Sequence, residues 1–304
     1  MTRQIRLVVN PSAGKGRAME LLPQVAGTLR DSGDELDVLL SRDFVEAREM
    51  TETAVADGVD VLAVMGGDGM MHLGVNTSAR AHLTTGSRTT LGLIPAGTGN
   101  DLCRGIGLDP ADSVAAAAVI AAGYTRSIDL AQVGPHYVAA VLATGFDALV
   151  NRRANAMTWP RGSSRYTIAA LAELRVFAPL RYRLTLDGEV RELEAMIVAV
   201  GNTASYGGGM RICLNADPYD GLLDVTIIHP VGRVKLLRLL PMMYSGKFAR
   251  DACVEQLRVR EVKVEGPGLV GFGDGEMLGA TPLTVSAVAR ALPVFVPRIP
   301  ANVE

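Results

Sequence analysis

The run Leu91-Gly-Leu-Ile-Pro-Ala-Gly-Thr-Gly-Asn-Asp101 places a short apolar segment directly before a glycine-rich turn. Leu91–Ile94 has the length and composition of a buried strand. In the turn that follows, glycines let the backbone come close to a ligand and direct its N–H groups toward an anion. Pro95–Asp101 is therefore a candidate phosphate-binding loop.

Two more apolar segments end in the same way. Ile5–Val9 leads into Asn10–Gly16, and Val59–Met65 leads into Gly66–Gly69. With a further strand at Leu36–Leu40 and helical patterns between the strands, this order predicts a parallel sheet with helices on both faces. Loops at the carboxyl ends of parallel strands line one crevice, so the three glycine-rich loops should converge.

A phosphate site explains this convergence better than three unrelated tight turns. The Gly14-Lys15 pair lacks both the upstream glycine and the Ser or Thr of a Walker A loop, so the site is of another type. A bare carboxylate beside phosphate would be repelled. Asp68 and Asp101 are therefore expected to hold Mg²⁺-bound water or to fix ribose and loop hydroxyls.

The second half of the chain is predicted to be mostly β, with helices near Tyr166–Phe177 and Val234–Tyr244. Its predicted strands are Tyr137–Ala143, Tyr182–Leu186, Val190–Val200, Leu223–Ile228, Leu257–Val264, Leu283–Val288 and Val294–Val296. The fold class is thus α/β, with an N-terminal open parallel-sheet nucleotide-binding domain and a β-rich, sandwich-like second domain. We expect the domains to span residues 1–130 and 131–304, and a return of residues 290–304 to the first domain is left open.

Composition excludes several classes of protein. The 304 residues are 48% hydrophobic and 20% charged, which indicates a globular chain. The formal net charge of −2 gives no overall attraction to nucleic acid or to anionic lipid, so membrane contact would require a local patch. The longest apolar run, Val114–Ala122, is far shorter than the roughly 20 residues of a spanning helix. Three cysteines without CxxC spacing and the absence of a signal-peptide pattern favour the cytosol.

At several points the sequence resembles the bacterial diacylglycerol kinase family, which is related to sphingosine kinases and more distantly to NAD kinases. The specific match is the GTGND block within Leu91–Leu108. Gly66–Gly69 is similar to the GGDG block, Asn10–Gly14 to the opening nucleotide loop, and Gly201-Asn202 with Gly207–Gly209 to a segment of the second domain. GGDG alone is also found in NAD kinases and phosphofructokinases.

The resemblance implies a lipid kinase that binds ATP with Mg²⁺ in its first domain. Ser41, at the end of the second strand, joins the glycine-rich loops among the implied nucleotide contacts. The full predicted set is Asn10, Pro11, Ser12, Ala13, Gly14, Ser41, Gly66, Gly67, Asp68, Gly69, Thr98, Asn100 and Asp101. The family usually has Thr after GGDG and Glu three positions further on, where this chain has Met70 and Leu73.

Two Asp-Gly-Glu segments are candidates for a catalytic acid pair. Asp187–Glu189 lies between alternating strand patterns and is predicted to be a hairpin turn. Asp274–Glu276 could equally be a turn by its own sequence. Its position near the end of the chain matches the family's catalytic element, which implies Glu276 as base and Asp274 as its partner.

A third acidic cluster is Asp217-Pro-Tyr-Asp220-Gly-Leu222. Two carboxylates across a Pro/Gly turn, with a backbone carbonyl two residues further, suit a hard divalent ion, but a solvated turn fits the residues equally well. The family has a structural Mg²⁺ site with this spacing, which implies Asp217, Asp220 and the Leu222 carbonyl as ligands.

The expected function is phosphoryl transfer from ATP to the hydroxyl of diacylglycerol or a related lipid, in a cytoplasmic protein that is peripheral and transient at the membrane surface. A homodimer is left open, and no nucleic-acid partner is expected. Two alternatives remain at this point. One is an NAD kinase-like enzyme that shares GGDG. The other, suggested by Met70 and Leu73, is a nucleotide- or lipid-binding protein without turnover.

Overall fold

The computed structural model describes residues 2–157, 159, 168–170, 172–173 and 178–298. These residues form two compact units, one of residues 2–130 and 289–298 and the other of described residues within 131–288. No helix among the described residues has both the length and the apolar character needed to cross a bilayer.

The first unit is built on a parallel sheet in the order β2-β1-β3-β4. Val294 of the last strand pairs in parallel with Leu91 beside it. The elements in chain order are β1 (Gln4–Val9), α1 (Arg17–Asp31), β2 (Glu35–Leu40), α2 (Phe44–Ala56), β3 (Val61–Gly66), α3 (Asp68–Thr85), β4 (Thr90–Pro95), α4 (Asp101–Gly105) and α5 (Ser113–Ala122). All four strands predicted for this part are confirmed.

Local sequence signals set the helix ends of this unit. The Asp43 carboxylate accepts the Glu46 N–H at the start of α2, and Asp112 accepts two N–H groups at the start of α5. Gly86 and Gly123 end α3 and α5 in the left-handed conformation, which glycine adopts without steric cost. These residues fix where the helices between the strands begin and end.

The second unit contains two antiparallel sheets. The chain enters it through β5 (Thr125–Val133) and leaves it within the final strand. Its other elements are β6 (His136–Val138), β7 (Val141–Gly145), α6 (Phe146–Ala156), β8 (Leu180–Leu186), β9 (Glu189–Ala195), β10 (Ile197–Gly201), β11 (Leu223–Ile228), α7 (Arg233–Ser245), β12 (Val254–Val259), β13 (Glu261–Glu265), β14 (Val270–Gly273), β15 (Glu276–Ala280) and β16 (Leu283–Phe295).

The two sheets pack as a sandwich. One runs β16-β13-β8-β9 and the other β12-β11-β10-β7-β14-β15. Leu184 and Val262 of the first sheet and Val198 and Val225 of the second belong to one buried cluster. β10 is buried on both faces, because its other face carries Ile197 against α7. The predicted sandwich-like second domain is confirmed.

Several predicted strands are in fact two. Val190–Val200 divides at Met196, because β9 pairs with β8 in one sheet and β10 pairs with β7 and β11 in the other. Leu257–Val264 divides at Arg260 in the same way, between β12 and β13. An apolar run carries no local signal for a change of sheet.

Tyr137–Ala143 also divides, into β6 and β7, with Ala139 and Ala140 between them. Sequence patterns missed β5, α6, β14 and β15 altogether, and the predicted strands Leu283–Val288 and Val294–Val296 are one strand, β16. The predicted helix at Val234–Tyr244 is confirmed as α7, and the one at Tyr166–Phe177 lies largely outside the described residues.

Candidate functional site

The three glycine-rich loops of the first unit meet at the carboxyl edge of its sheet. The Asn10 N–H donates to the Met65 carbonyl at 3.0 Å, at the end of β3. The N–H groups of Ala96 and Gly97 donate to the Gly66 carbonyl at 2.7 and 3.1 Å. The predicted convergence is therefore present, and hydrogen bonds between the loops hold it.

Glycine is required where these loops touch. A Cβ added to Gly14, whose φ is +59°, would lie 2.3 Å from the Ala96 carbonyl oxygen. A Cβ on Gly97 would lie 2.4 Å from the Gly67 Cα. Real contacts of this kind are never so short, so no other residue fits without displacing backbone. The loops pack backbone against backbone and leave their edge open to a ligand.

Asp68 joins two of the loops through its carboxylate. Oδ1 accepts the Asp101 N–H at 2.9 Å, and Oδ2 occupies the space where Gly99 would carry a side chain. Asp101 is itself buried and forms an ion pair with Arg104, with 2.8 Å between Oδ1 and Nη1. Asp68 thus has the Asp101 N–H as a donor, and Asp101 has the Arg104 guanidinium. These donors explain how two negative charges are tolerated beside a candidate phosphate-binding loop.

The Asn100 side chain bonds to backbone groups around the loop and not at the open edge where a ligand would bind. Its backbone is left-handed, with φ of 55°, and its side chain is 1% exposed. Nδ2 donates to the carbonyls of Gly97 and Pro110, and Oδ1 accepts the Gly97 N–H. Both amide hydrogens are therefore engaged inside the loop, and a nucleotide contact by this side chain remains only a prediction.

Other predicted residues present groups that a ligand could use. Thr98 is exposed and its hydroxyl makes no hydrogen bond within the described part of the chain. The amides of Gly67, Asp68 and Gly69, at the start of the long helix α3, likewise donate to no described acceptor. Free N–H groups and the partial positive charge of a helix N-terminus together attract phosphate.

The opening loop is shaped by Asn10, whose Oδ1 accepts the N–H and the hydroxyl of Ser12 at 3.0 and 2.8 Å. Ser12 is exposed and Ala13 is buried. Ser41 follows β2 and is also buried, with its Oγ donating to the Val9 carbonyl at 3.1 Å. Ser41 thus links the ends of two strands at the same edge of the sheet.

Met70 and Leu73 are core residues of α3, only 3% and 5% exposed. Met70 packs so closely on Gly66 that a Cβ there would lie 2.5 Å from its Cγ. The departure from the family pattern is thus an exchange of polar side chains for packing beneath the loop. The N–H groups of Gly67–Gly69 still have no described acceptor, so they can bind a ligand.

In the second unit, Asp274 and Gly275 form the turn between β14 and β15. The Asp274 carboxylate accepts the N–H of Ala139 through Oδ2 and that of Ala140 through Oδ1, both at 2.9 Å. Ala139 in turn accepts the Asn202 amide through its carbonyl at 2.9 Å. The turn therefore connects to the Gly201-Asn202 segment, which sequence had singled out separately.

Glu276 begins β15 with its side chain exposed. Among the described residues it makes no side-chain hydrogen bond and no ion pair. A carboxylate that is held by a rigid turn and not neutralised by a cation can accept a proton from a substrate hydroxyl. The turn thus separates two roles, with Asp274 bonded to backbone and Glu276 presented to solvent.

The predicted metal ligands also lie in the second unit. The Asp217 carboxylate accepts the Tyr219 N–H at 3.1 Å, and the Asp220 carboxylate accepts the Leu222 N–H at 3.0 Å. Each side chain has a second oxygen beyond this bond, and that of Asp220 already faces the Arg258 guanidinium. The described residues contain no group of three or more His, Cys, Asp or Glu side chains arranged for a metal, so the site would depend on two carboxylates and a carbonyl.

Sequence reasoning missed Asp224, which shares a cation with this loop. The Arg258 guanidinium lies 3.6 Å from the Asp220 carboxylate and 3.5 Å from that of Asp224. Burial raises the pKa of Asp224, the charges of Asp220 and Asp217 raise it further, and Arg258 opposes them. An added cation would relieve this excess of negative charge.

A second missed group is the buried carboxyl of Asp147 on α6, which accepts the Tyr206 hydroxyl. Burial raises the pKa of Asp147 to about 6, and the hydrogen bond from Tyr206 lowers it in part. Tyr206 precedes the Gly207–Gly209 run, so this pair anchors that glycine segment to the first turn of α6. The two residues are 59 positions apart, and no local pattern joins them.

Two family descriptions match this chain in succession. "Diacylglycerol kinase catalytic domain" matches residues 4–133, and "YegS C-terminal NAD kinase beta sandwich-like domain" matches residues 140–296. Among curated proteins, a diacylglycerol kinase of Mycobacterium tuberculosis is 40% identical over an alignment of 301 residues that covers 97% of this chain and 96% of that protein.

A probable lipid kinase YegS-like of Xanthomonas campestris pv. campestris is 32% identical over 262 residues, covering 84% of this chain and 82% of its own. The crystal structure of a diacylglycerol kinase from Bacillus anthracis str. Sterne superposes with a TM-score of 0.76 at 22% identity, covering 97% of both chains. The structural likeness supports the fold, and the curated relatives extend over the whole length of the two units.

Proposed function

This chain belongs to the family of diacylglycerol kinases and YegS-like lipid kinases, and from that membership we propose that it phosphorylates the hydroxyl of diacylglycerol or a related lipid with ATP. The product would be a phosphatidate-type lipid. We place the protein in the cytoplasm, peripheral and transient at the membrane, where its acceptor is found. Whether it acts as a homodimer is a question for light scattering.

The observation that carries this proposal is the contact between the glycine-rich loops. Gly14 and Gly97 lie where any side chain would displace backbone, and the free amides at the start of α3 open onto the same edge. This arrangement suits the phosphates of a nucleotide. We assign the ATP site to the first unit and the lipid site to the second.

We propose Glu276 as the general base. Its carboxylate would accept the proton of the lipid hydroxyl as that oxygen bonds to the γ-phosphorus and the bond to ADP breaks. Asp274 would position it, because the hydrogen bonds to Ala139 and Ala140 fix the turn on which Glu276 stands.

We propose Mg²⁺ as the divalent ion of this kinase. When bound with ATP, it would supply charge neutralisation on the phosphates. A second, structural ion would bind Asp217, Asp220 and the Leu222 carbonyl, a set of oxygen donors suited to it. The grouping of Asp217, Asp220 and Asp224 around the single Arg258 guanidinium supports a need for positive charge there.

The direct test is a comparison of acceptors. The purified protein is incubated with radiolabelled ATP and Mg²⁺, and with mixed micelles of diacylglycerol, micelles of ceramide, or NAD. We expect label in phosphatidate. Label in NADP alone would favour the NAD kinase-like alternative, and hydrolysis or binding without transfer would favour a protein without turnover.

Asp68→Asn tests the nucleotide loops. The amide can still accept the Asp101 N–H, so the fold should survive while the charge is lost. We expect most activity to be lost, as measured by steady-state kinetics with circular dichroism as the check on folding. Asp112→Asn, which changes a helix cap in the same unit, is the matched control. If Asp68→Asn keeps full catalytic efficiency, the Asp68 carboxylate only links two loops and has no role with the nucleotide.

Asp220→Ala tests the structural ion. The wild type should melt at a higher temperature in Mg²⁺ than in chelator without nucleotide, and the variant should show little of this difference. Glu192→Ala, on β9 and outside the cluster, controls for the loss of a carboxylate. A wild type that melts at the same temperature in both buffers has no such site.

A further inference from the structure

Helix α7 is apolar on two faces, and only one of them is used for packing. Leu236, Leu239 and Met243 are buried in the cluster beneath the helix. Val234, Leu237 and Tyr244 are 66%, 45% and 55% exposed. With the exposed Pro241 they recur at intervals of three, four and three residues, so they form one stripe along the outer face. The fold leaves this stripe in solvent.

A cationic pocket lies at the carboxyl end of the same helix. Its volume is about 270 Å³, and Arg211, Lys247 and Arg250 contribute to its wall. The Arg211 N–H donates to the Met243 carbonyl of α7 at 3.0 Å. The fully buried side chain of Phe248 anchors the short 3-10 helix Lys247–Arg250. Three cations are thus held beside the end of the apolar stripe.

These cations lack acidic partners. Arg211, Lys247 and Arg250 form no side-chain ion pair with any described residue, although Asp251 follows Arg250 directly. That carboxylate instead bonds Lys235, with 2.7 Å between Oδ1 and Nζ. A chain of net charge −2 therefore keeps three unneutralised cations together on one surface.

We propose that this surface docks the protein onto a bilayer of anionic phospholipid, with the α7 stripe among the acyl chains and the pocket around a lipid phosphate. An apolar face bordered by Lys and Arg is the pattern of helices that lie in a membrane interface. A free phosphate metabolite would need the pocket but not the stripe. The inference rests on the proposed function, because that function requires a lipid at a surface.

Positive side chains at a helix C-terminus also offset its dipole. That role alone would appear in the thermal stability of charge-removing variants, whereas docking appears in lipid binding. The two readouts are separable because Lys247 and Arg250 are exposed and form no side-chain ion pair with a described residue.

The test is sedimentation of the full-length protein with vesicles of phosphatidylcholine, with or without phosphatidylglycerol, in the absence of ATP. We expect binding to the anionic vesicles that weakens with salt. Lys247→Gln/Arg250→Gln should weaken it about fivefold for each charge removed. Leu237→Ser/Tyr244→Ser should weaken it on the order of tenfold or more. Arg88→Gln, an exposed arginine of the first unit, should bind as the wild type does.

Unchanged binding in both double variants, or a wild type that ignores anionic vesicles, would overturn the proposal. Saturable binding of inorganic phosphate that depends on Lys247 and Arg250, without vesicle binding, would overturn it in favour of a site for soluble anions.

A kinetic measurement separates docking from catalysis. With long-chain diacylglycerol in vesicles, both double variants should lose activity in proportion to binding, and with dispersed dioctanoylglycerol they should match the wild type. If the wild type phosphorylates neither lipid, the proposed function fails, and the sedimentation result still decides whether the surface binds membranes.

Discussion

The second unit contains the sequence Asp-Gly-Glu twice, and both copies form the same turn. Asp187-Gly188 joins β8 to β9, and Asp274-Gly275 joins β14 to β15. The φ angles are +47° and +92° in the first turn and +51° and +89° in the second. Two positive values in succession are the type I′ pattern of tight hairpins. Local backbone therefore gives no reason to prefer one as a catalytic element.

Even the aspartate contacts are alike. The Asp187 carboxylate accepts the consecutive N–H groups of Arg260 and Glu261, both through Oδ1, and Asp274 accepts those of Ala139 and Ala140, one through each oxygen. In both turns the aspartate is a backbone clamp. This similarity indicates that the main role of the Asp274 carboxylate is to hold the turn in place.

The glutamates differ. Glu189 forms an ion pair with Arg191, with 3.0 Å between Oε1 and Nε. Glu276 has no ionic partner among the described residues. The segment Ala139-Ala140, which holds the second turn and which we call the strap, also accepts a hydrogen bond from the fully buried Asn202. The first turn is instead bonded to the exposed Arg260 at a change of sheet. A free carboxylate on a braced turn is what distinguishes the candidate site.

The largest expected effect is on turnover. Glu276→Gln should lower it by at least about 10²-fold, because a positioned acid–base group is lost, and ATP binding should survive. Glu189→Gln should leave turnover unchanged, since it removes only an exposed ion pair worth less than about 1 kcal/mol. Steady-state kinetics on lipid micelles measures both.

The distinction between the two turns is wrong if both variants have the turnover of the wild type. In that case Asp274–Glu276 is a second structural hairpin, and the base lies elsewhere. Equal melting temperatures for the two variants are the control that folding is intact.

Much of the first unit could be predicted because its signals are local. Apolar strands ending in Gly66–Gly69 and Pro95–Asp101 predict both the parallel sheet and the convergence of its loops. The second unit was harder to predict, because the chain changes sheet at Met196 and at Arg260 and no residue type signals such a change. The strands predicted there are present with wrong boundaries, and β5, β14 and β15 were missed.

The sites show the same division. The loop glycines were identifiable because close backbone approach demands glycine. The partners of Asp274 are 134 and 135 residues away, and the distinction between Glu276 and Glu189 depends on what surrounds each in space. Sequence alone could choose between the two turns only through a family resemblance.

A smaller effect is expected from the aspartates. Each oxygen of Asp274 accepts one N–H, so Asp274→Asn turns one of them into an NH₂ group that faces a backbone donor and should lose about 1 to 3 kcal/mol of unfolding free energy. In Asp187→Asn the remaining oxygen can still accept both N–H groups, so the loss should be smaller. Only Asp274→Asn should also lower turnover, because its turn carries Glu276. Urea unfolding and kinetics on the same samples decide this, and loss of turnover in Asp187→Asn at full folding would count against the distinction.

The smallest expected effect tests whether the turns themselves are equal. Gly188 and Gly275 both have φ near +90°, and an added Cβ would meet nothing within 4 Å at either position. Gly188→Ala and Gly275→Ala should therefore be destabilised only by backbone strain, by about 1 kcal/mol each. Urea unfolding should give the same loss for both. If Gly275→Ala costs clearly more, the Asn202 strap constrains the second turn beyond its own geometry, and rigidity becomes part of what the site requires. If the losses match and Gly275→Ala alone slows turnover, the orientation of Glu276 depends on the turn and not on the strap.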